Sequence, residues 1–287
     1  MTRRRALRVA GMAAGLLIAG PALLGAEVAL ATRGGTAPPL PPDIDACVGC
    51  VGGEPPLRTV WLGDSTAAGV GASSADGVVG RQAARRLGRA VDVRVLASSG
   101  GRIADVVADQ LPQVTADVQV VFVSVGANDA THLTGLDTFT LSYRELLAGL
   151  PASACVVVLG VPDLGSAPRL AQPLRAVAGW RGRLIDRRVR QLAQDSGATF
   201  VDIAGATGPA FRRNRSLFSR DGYHPNDAGY GLWAGAVTSA LGGPAAWTAL
   251  GQSDPAEREA PGQSGQSDPA ERGAPGELIP ADGRACP

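Results

Sequence analysis

The sequence predicts an α/β fold in which helices cover both faces of a parallel sheet. Five short apolar runs, rich in valine, are typical of buried parallel strands, and five segments of helical periodicity alternate with them. Such alternation produces βαβ units. The predicted strands are residues 59–62, 91–96, 118–125, 156–160 and 199–201, and the predicted helices are about residues 77–88, 102–111, 137–149, 173–195 and 226–241. Asn226, directly after Pro225, is expected to cap the last helix.

The length of the chain predicts one folded domain, and its net charge argues against a nucleic-acid-binding protein. The chain has 287 residues, 45% of them hydrophobic, which is enough for one domain with a sizeable core and a segment at either end. The formal net charge is +1, so no strong field attracts nucleic acid. We therefore expect no nucleic-acid partner, and we also expect a monomer.

The N-terminal segment has the pattern of an export signal. Four arginines within the first eight residues precede an uncharged stretch, residues 9–26, and Ala29-Leu30-Ala31 fits a small-x-small cleavage site. An uncleaved membrane anchor is the alternative, because about 18 apolar residues can just span a bilayer. Both interpretations place the rest of the chain outside the cytoplasm, since the positive charge stays inside.

Composition divides the chain into four parts. Residues 1–31 are the signal peptide or anchor, residues 32–57 are a linker rich in proline and glycine, and residues 58–245 are the folded domain. Residues 246–287 form a tail in which the sequence from Gly251 to Arg258 recurs from Gly265 to Arg272. A segment so rich in Gly, Ser, Pro and charge buries too little surface to fold, so the tail is predicted to be a disordered spacer.

Four cysteines, Cys47, Cys50, Cys155 and Cys286, allow three pairings that the sequence does not rank. Cys47-Val48-Gly49-Cys50 has the spacing of half a zinc site or of a redox pair, but no second such pair and no histidine cluster completes a metal site. We therefore favour a local disulfide, and we expect no metal or cofactor. Cys155 opens an apolar run and is predicted to be a buried small hydrophobe.

Polar residues and glycines occupy the turns that follow the predicted strands. Ser65 follows the first strand, Gly100 the second and Asn128 the third, whereas Asp221 and His224 lie between the last strand and the last helix. In sheets of this kind ligands bind beyond the carboxyl ends of the strands. We therefore expect these residues to meet at one edge of the sheet.

Three of these residue types suit nucleophilic catalysis. A serine hydroxyl is a poor nucleophile until a base takes its proton, and histidine titrates near neutral pH. An acid three residues before the histidine can hold the second ring nitrogen and stabilise the imidazolium. The sequence thus predicts Ser65 as the nucleophile, His224 as the base and Asp221 as its partner.

The remaining residues suit an oxyanion hole. Attack on an ester carbonyl creates an oxyanion, which needs fixed hydrogen-bond donors. The backbone N–H groups of Ser65 and Gly100 and the side-chain amide of Asn128 are the predicted donors. Gly101 is the alternative to Gly100. The spacing of the block favours Gly100.

The blocks Gly63-Asp64-Ser65, Gly100, Gly126-x-Asn128-Asp129 and Asp221-x-x-His224 together resemble the SGNH/GDSL hydrolase superfamily. They stand in the family's order over about 160 residues, and residues 62–71 are similar to secreted or anchored actinobacterial members. The resemblance implies a flavodoxin-like three-layer α/β/α sandwich, cleavage of esters or thioesters without a metal, and the same roles for the residues named above. The sequence departs from the family in lacking the leucine that often follows Gly-Asp-Ser.

Other polar residues near these blocks have plainer interpretations. Asp64 and Asp129 follow glycines and are predicted to hold turn backbone. His132, the other histidine of the chain, lines the pocket and competes as base, or else is a neutral, hydrogen-bonded neighbour, which we favour. Asp163 either borders the pocket or forms a turn, and the turn is favoured.

Three functions fit the sequence. The first is an extracytoplasmic esterase or lipase acting on lipid or small-molecule esters, and the second is a deacetylase or acyltransferase of cell-envelope sugars. Only 4% of the residues are aromatic, which leaves few stacking platforms for sugars and favours an acyl chain. The third is a binding module that kept the fold and lost the chemistry, against which the intact set of Ser65, Asp221 and His224 speaks.

Overall fold

A computed structural model describes residues 38–51, 53, 55–243 and 286 of the chain. Its sheet has six strands in the order β1-β3-β2-β4-β5-β6, and all neighbours are parallel except β1 and β3. The strands are β1 (Ala46–Val48), β2 (Leu57–Gly63), β3 (Val91–Val95), β4 (Val120–Ser124), β5 (Cys155–Leu159) and β6 (Thr199–Val201). This mixed sheet with helices on both sides confirms the predicted α/β fold.

In the part of the chain that the structure describes, seven α-helices connect or flank these strands. They are α1 (Val79–Arg86), α2 (Ile103–Asp105), α3 (Ala127–Thr131), α4 (Leu136–Gly149), α5 (Leu174–Asp195), α6 (Ile203–Arg213) and α7 (Asp227–Ala240). Asn226 caps α7 as predicted, because its side chain accepts hydrogen bonds from the backbone of Ala228 and Gly229.

Two apolar layers hold the sandwich together. Every residue of β4 and β5 is buried, as expected for central strands covered on both faces. On one face, side chains such as Val121 and Val158 pack with α4 and α5. On the other face, Trp61 stacks on Phe122 at 4.2 Å between ring centroids and packs with α1 and α7.

The structure adds elements that the sequence patterns did not indicate. β1 lies in the segment predicted as linker and pairs with β3, and its three residues are too few to show a period. α6 contains Gly205, Gly208 and Pro209, which weaken a helical signal. The predicted helix 102–111 is α-helical only at its start and continues as a π-helical turn over Val106–Gln110.

Two disulfides join the four cysteines, Cys47 to Cys50 and Cys155 to Cys286. The local bridge is the one the sequence favoured. The interpretation of Cys155 as a simple buried hydrophobe is corrected, since this buried residue fixes Cys286 to the start of β5.

The predicted signal or anchor, residues 1–31, lies outside the described residues, and so does the predicted tail apart from Cys286. Within the described part of the chain, no helix is both long and apolar enough to cross a bilayer.

Candidate active site

Ser65 lies in the turn directly after β2. The carboxylate of Asp64 holds this turn, because its Oδ1 accepts hydrogen bonds from the backbone N–H of Thr66 (2.9 Å) and from the Thr66 hydroxyl (2.7 Å). The Ser65 carbonyl accepts from the N–H of Val70 at 2.8 Å. The short polar side chains of the Asp-Ser-Thr sequence thus fix the backbone that presents the Ser65 hydroxyl.

Gly63, the last residue of β2, is in close contact with β4. Its φ is +140°, and a Cβ at this position would lie 1.9 Å from the carbonyl oxygen of Ser124, so only glycine fits. The side chain of Gln110 binds both backbone groups of Gly63, accepting from its N–H (2.8 Å) and donating to its carbonyl (2.9 Å). Gln110 is buried and stands on the π-helical turn.

His224 connects Ser65 to Asp221. Its Nε2 lies 2.9 Å from the Ser65 Oγ, and its Nδ1 lies 2.6 Å from Oδ2 of Asp221. Oδ1 of Asp221 accepts from the hydroxyl of Ser219 (2.7 Å) and from the backbone N–H groups of Tyr223 and His224 (2.9 and 3.0 Å). The Asp221–His224 turn therefore places both residues before α7, with their side chains screened from solvent.

The pKa values of two aspartates in the site, Asp221 and Asp64, are shifted in opposite directions. Burial alone would raise the pKa of Asp221, but the hydrogen bonds from His224, Ser219 and the turn backbone outweigh it and hold the pKa well below its usual range. Burial raises the pKa of Asp64 to about 6 against the lowering effect of the Thr66 hydrogen bonds. Asp221 is therefore an anion at neutral pH, able to stabilise a positive imidazolium.

Three hydrogen-bond donors belong to the predicted oxyanion hole. The N–H groups of Ser65 and Gly100 donate to no residue that the structure describes, whereas the N–H of Gly101 donates to the Ser98 carbonyl at 3.2 Å. One hydrogen of the Asn128 amide binds the carbonyl of Gly101 at 2.9 Å, which orients the side chain and leaves its second hydrogen unused. Of the two glycines, Gly100 is thus the one whose backbone N–H has no acceptor among the described residues.

An apolar groove borders Ser65 and His224. Phe211 and Phe218 meet edge to face in its wall, 4.9 Å between centroids, and buried Trp233 also lines it. The other apolar members of the lining are Ala127, Pro162, Leu164, Ala167 and Pro225. The lining of the groove is thus mostly apolar.

The other polar residues of the sequence blocks have clear contacts. Asp129 is buried, and its Oδ2 accepts from the N–H of Ile103 at 3.0 Å, which ties α3 to the start of α2. His132 is exposed, does not line the groove, and binds the Asn128 carbonyl through Nδ1 at 2.9 Å. Asp163 begins the turn Leu164–Ser166, as favoured, since its carbonyl accepts from the N–H of Ser166 at 2.9 Å; it also lines the groove and forms an ion pair with Arg212.

Sequence reasoning missed Gln110 and Ser219. Gln110 sits in a segment with an ordinary helical pattern, and only the π-helical turn directs it to Gly63. Ser219 stands two residues before Asp221, and short polar side chains this close in sequence often form hydrogen bonds with each other or with nearby backbone. That spacing is the sequence signal from which its contact with the Asp221 carboxylate could have been predicted.

A serine, a histidine and an aspartate in hydrogen-bond contact at the carboxyl edge of an α/β/α sheet define the serine hydrolase class of site. Residues 61–232 match the model of the GDSL-like Lipase/Acylhydrolase family. Because the match covers more than half of the chain, the protein belongs to this family of esterases and lipases.

A curated relative of similar sequence agrees with this assignment. The GDSL-like esterase Rv1075c of Mycobacterium tuberculosis (strain ATCC 25618 / H37Rv) is 32% identical over 193 residues, covering 64% of this chain and 62% of its own length. The chain thus spans less than two thirds of that relative.

Solved structures agree in fold. Phospholipase A1 from Streptomyces albidoflavus NA297 superposes with a TM-score of 0.52 at 21% identity, covering 65% of this chain and 100% of its own. The lipase/acylhydrolase from Enterococcus faecalis superposes with a TM-score of 0.50 at 20% identity, covering 63% and 93%. At these identities the likeness concerns the fold alone.

Proposed function

We propose that the protein is an extracytoplasmic serine hydrolase that cleaves acyl esters of lipids or small molecules through an acyl-enzyme on Ser65. The observation that carries the proposal is the chain of hydrogen bonds from the Ser65 hydroxyl through both nitrogens of His224 to Asp221. This arrangement matches a nucleophile, a base within reach of its proton, and a third group that orients the base.

The proposed reaction has two halves. The Ser65 Oγ attacks the ester carbonyl carbon while His224 Nε2 takes the hydroxyl proton, and the anionic Asp221 stabilises the resulting imidazolium. Collapse of the tetrahedral intermediate breaks the bond to the alcohol, which leaves with the proton from His224. Water then attacks the acyl-enzyme with the same base, and the carboxylic acid and free Ser65 are released.

The oxyanion of each tetrahedral intermediate would be stabilised by the N–H groups of Ser65 and Gly100 and by the Asn128 amide. Loss of one such donor typically lowers the rate ~10²–10³-fold. The unused N–H of Gly100 and the fixed amide of Asn128 support these roles.

The groove supports an acyl chain as the apolar part of the substrate. Although the chain is poor in aromatic residues, Phe211, Phe218 and Trp233 lie together in this groove. Phe211 and Trp233 are buried against other side chains, so they offer an apolar wall rather than the open flat faces on which sugar rings stack.

An extracytoplasmic location is supported by two features. The N-terminal sequence has the charge pattern of an export signal. Both cysteine pairs are disulfides, and such bonds persist in oxidising compartments. Fractionation of the producing cells tests the location, and recovery of the protein with the cytoplasm would contradict it.

The experiment for the activity is labelling of the full chain with a fluorophosphonate probe, together with hydrolysis of p-nitrophenyl acetate, butyrate and palmitate. We expect the wild type to be labelled and active, and both properties to be lost in Ser65→Ala and His224→Ala. Ser166→Ala is the matched control, since Ser166 lines the same groove and is expected to leave labelling intact.

Each other outcome is informative. Labelling that survives Ser65→Ala would identify another nucleophile. A folded wild type that is neither labelled nor active on any of the three esters would contradict the hydrolase. Transfer of the acyl group to an added alcohol in preference to release of free acid would replace hydrolysis by acyl transfer.

A further inference from the structure

The groove beside Ser65 contains a buried polar atom with no partner. Trp233 lines the groove and is only 2% exposed, and its Nε1 has no hydrogen-bond acceptor among the residues that the structure describes. Other buried side-chain atoms of the described chain also lack a partner, but none of them belongs to a residue that lines this groove. An indole N–H can only donate, so it stays unpaired until an acceptor reaches it.

The core beside Trp233 supplies no such acceptor. Trp233 belongs to the apolar layer that includes Ile203 and Val237, and its ring meets that of Tyr230 edge to face at 5.9 Å between centroids. The Tyr230 hydroxyl is already in use, since it donates to the Val70 carbonyl at 2.7 Å. The groove is therefore the side from which an acceptor can reach the indole.

An unpaired N–H at this position calls for an explanation. A buried donor without a partner costs free energy, and native proteins satisfy nearly all such groups. Ligand grooves are the common exception, because a few polar groups in an apolar lining are kept for the ligand and decide which ligand binds. The state of Trp233 is explained if the substrate brings the acceptor.

Most other side-chain donors of the groove are occupied. The hydroxyls of Thr66, Ser166 and Thr207 all donate within the protein, at 2.7, 2.6 and 2.8 Å. The hydroxyl of Tyr223 has no acceptor among the described residues, but Tyr223 is only half-buried, and its ring packs edge to face against the His224 ring. Of the two free donors, the indole is the more deeply buried, so leaving it unpaired is the more costly.

We propose that the acyl chain of the substrate carries an oxygen, in a hydroxyl, ether or oxo group, that accepts a hydrogen bond from Nε1 of Trp233. This inference rests on the proposed function, because it specifies the substrate class of the same groove. A chain with such an oxygen pairs the N–H, whereas an all-carbon chain covers it and leaves it unpaired. Trp233 is thus a specificity-determining residue that distinguishes oxygenated from plain acyl chains.

The test compares kcat/KM for p-nitrophenyl octanoate with kcat/KM for analogues in which one methylene at a time is replaced by an ether oxygen. Each ester is measured with the wild type and with Trp233→Phe, so that the intrinsic reactivity of the ester cancels in the ratio of the two proteins. For the ether whose oxygen reaches Trp233, we expect this ratio to exceed that of the octanoate by roughly threefold to tenfold, the effect of one neutral hydrogen bond.

A second replacement guards against a folding defect, since phenylalanine is smaller than the buried Trp233. β-(3-Benzothienyl)alanine at position 233 keeps the bicyclic shape and carries sulfur in place of the N–H, so it should lose the preference for the ether as Trp233→Phe does. Phe218→Leu is the control for the apolar wall, because it removes aromatic surface but no donor. It should change kcat/KM of all the esters by a similar factor.

Binding to Ser65→Ala separates this inference from the proposed function. Because the variant lacks the proposed nucleophile, calorimetric titration with ethyl octanoate and its ether analogues measures affinity alone. We expect one of the ethers to bind roughly threefold to tenfold more tightly than ethyl octanoate. If the wild type cleaves no ester and this preference is still found, the hydrolase proposal fails and the role of Trp233 stands.

Two results would overturn the inference. If all esters give the same ratio of wild type to Trp233→Phe, and no ether binds Ser65→Ala more tightly than ethyl octanoate, the indole N–H does not recognise the substrate. If the preference for an ether persists in both replacements of Trp233 and is lost in Tyr223→Phe, the oxygen binds Tyr223 instead.

Discussion

The side-chain amide of Gln110 binds both the N–H and the carbonyl of Gly63, the residue two positions before Ser65. These bonds hold the peptide groups on both sides of the Gly63 Cα, so neither peptide group can rotate without breaking a buried hydrogen bond. The position of the Ser65 hydroxyl therefore depends on a side chain from a different element of the fold.

Gln110→Leu keeps the approximate volume and leaves the N–H of Gly63 unpaired, whereas the Gly63 carbonyl still accepts from the N–H of Ser98 at 3.2 Å. An unpaired buried group costs about 1–3 kcal/mol, so we expect the free energy of unfolding to fall by about that amount and kcat to fall with it. Chemical denaturation and ester hydrolysis measure the two effects. Gln113→Leu is the control, because Gln113 is exposed on the same segment. Wild-type stability and kcat in Gln110→Leu would show that the Gly63 turn is held without it.

Ser219→Ala removes the hydroxyl that donates to Oδ1 of Asp221. Since a hydrogen bond to a charged group contributes about 1.5–3 kcal/mol, we expect kcat to fall roughly tenfold to hundredfold. The pKa of Asp221 should rise towards its ordinary value. Because Asp221 has a lowered pKa when folded, its stabilisation is present above the unfolded pKa of 3.8 and lost as pH falls, and this acid dependence should weaken. Ser219→Thr retains the hydroxyl and should restore kcat, whereas a Thr variant as slow as Ser219→Ala would indicate a purely structural role.

Asp64→Asn tests the burial of a carboxyl beneath Ser65. The pKa of Asp64 is raised from 3.8 to about 6, so the folded protein binds a proton that the unfolded chain has released between these values. Stability from this group is therefore greatest below about pH 4, falls as pH rises to about 6, and is constant above. Asparagine keeps an oxygen for Thr66 without the buried charge.

In Asp64→Asn we expect a flatter dependence of unfolding free energy on pH and a gain on the order of 2–3 kcal/mol at about pH 8. Some dependence should persist, because burial also raises the pKa of Asp186 to about 6. Denaturant titrations across this pH range provide the measurement. A slope identical to the wild type would mean that Asp64 is ionised at no cost.

The two disulfides should differ in their contribution to stability. Cys155 and Cys286 are 131 residues apart in sequence, whereas Cys47 and Cys50 are 3 apart. Because a longer closed loop restricts the unfolded chain more, replacing Cys155 and Cys286 by alanine should destabilise by about 2–5 kcal/mol. The matched variant lacking Cys47 and Cys50 should lose well under half of that. Thermal denaturation compares them, and equal losses would contradict the loop-length explanation.

Much of the fold was accessible from the sequence because the strands are short apolar runs, of which β4 and β5 are the richest in valine. The contact of Ser65 with His224 was predicted from the rule that turns after parallel strands meet at one edge, although α6 lies between β6 and His224. β1 was missed because three residues carry no period, and α6 because glycine and proline interrupt it. The pairing of Cys155 with Cys286 depends on where distant segments meet, which no local pattern encodes.

The bridge to Cys286 also orients the molecule. Cys155 is the first residue of β5, at the amino ends of the parallel strands, whereas Ser65 follows the carboxyl end of β2. Cys286 therefore lies at the end of the sheet that is remote from Ser65. A fusion partner or a solid support joined just beyond Cys286 would leave the groove facing solution. This position is therefore suitable for immobilising the protein.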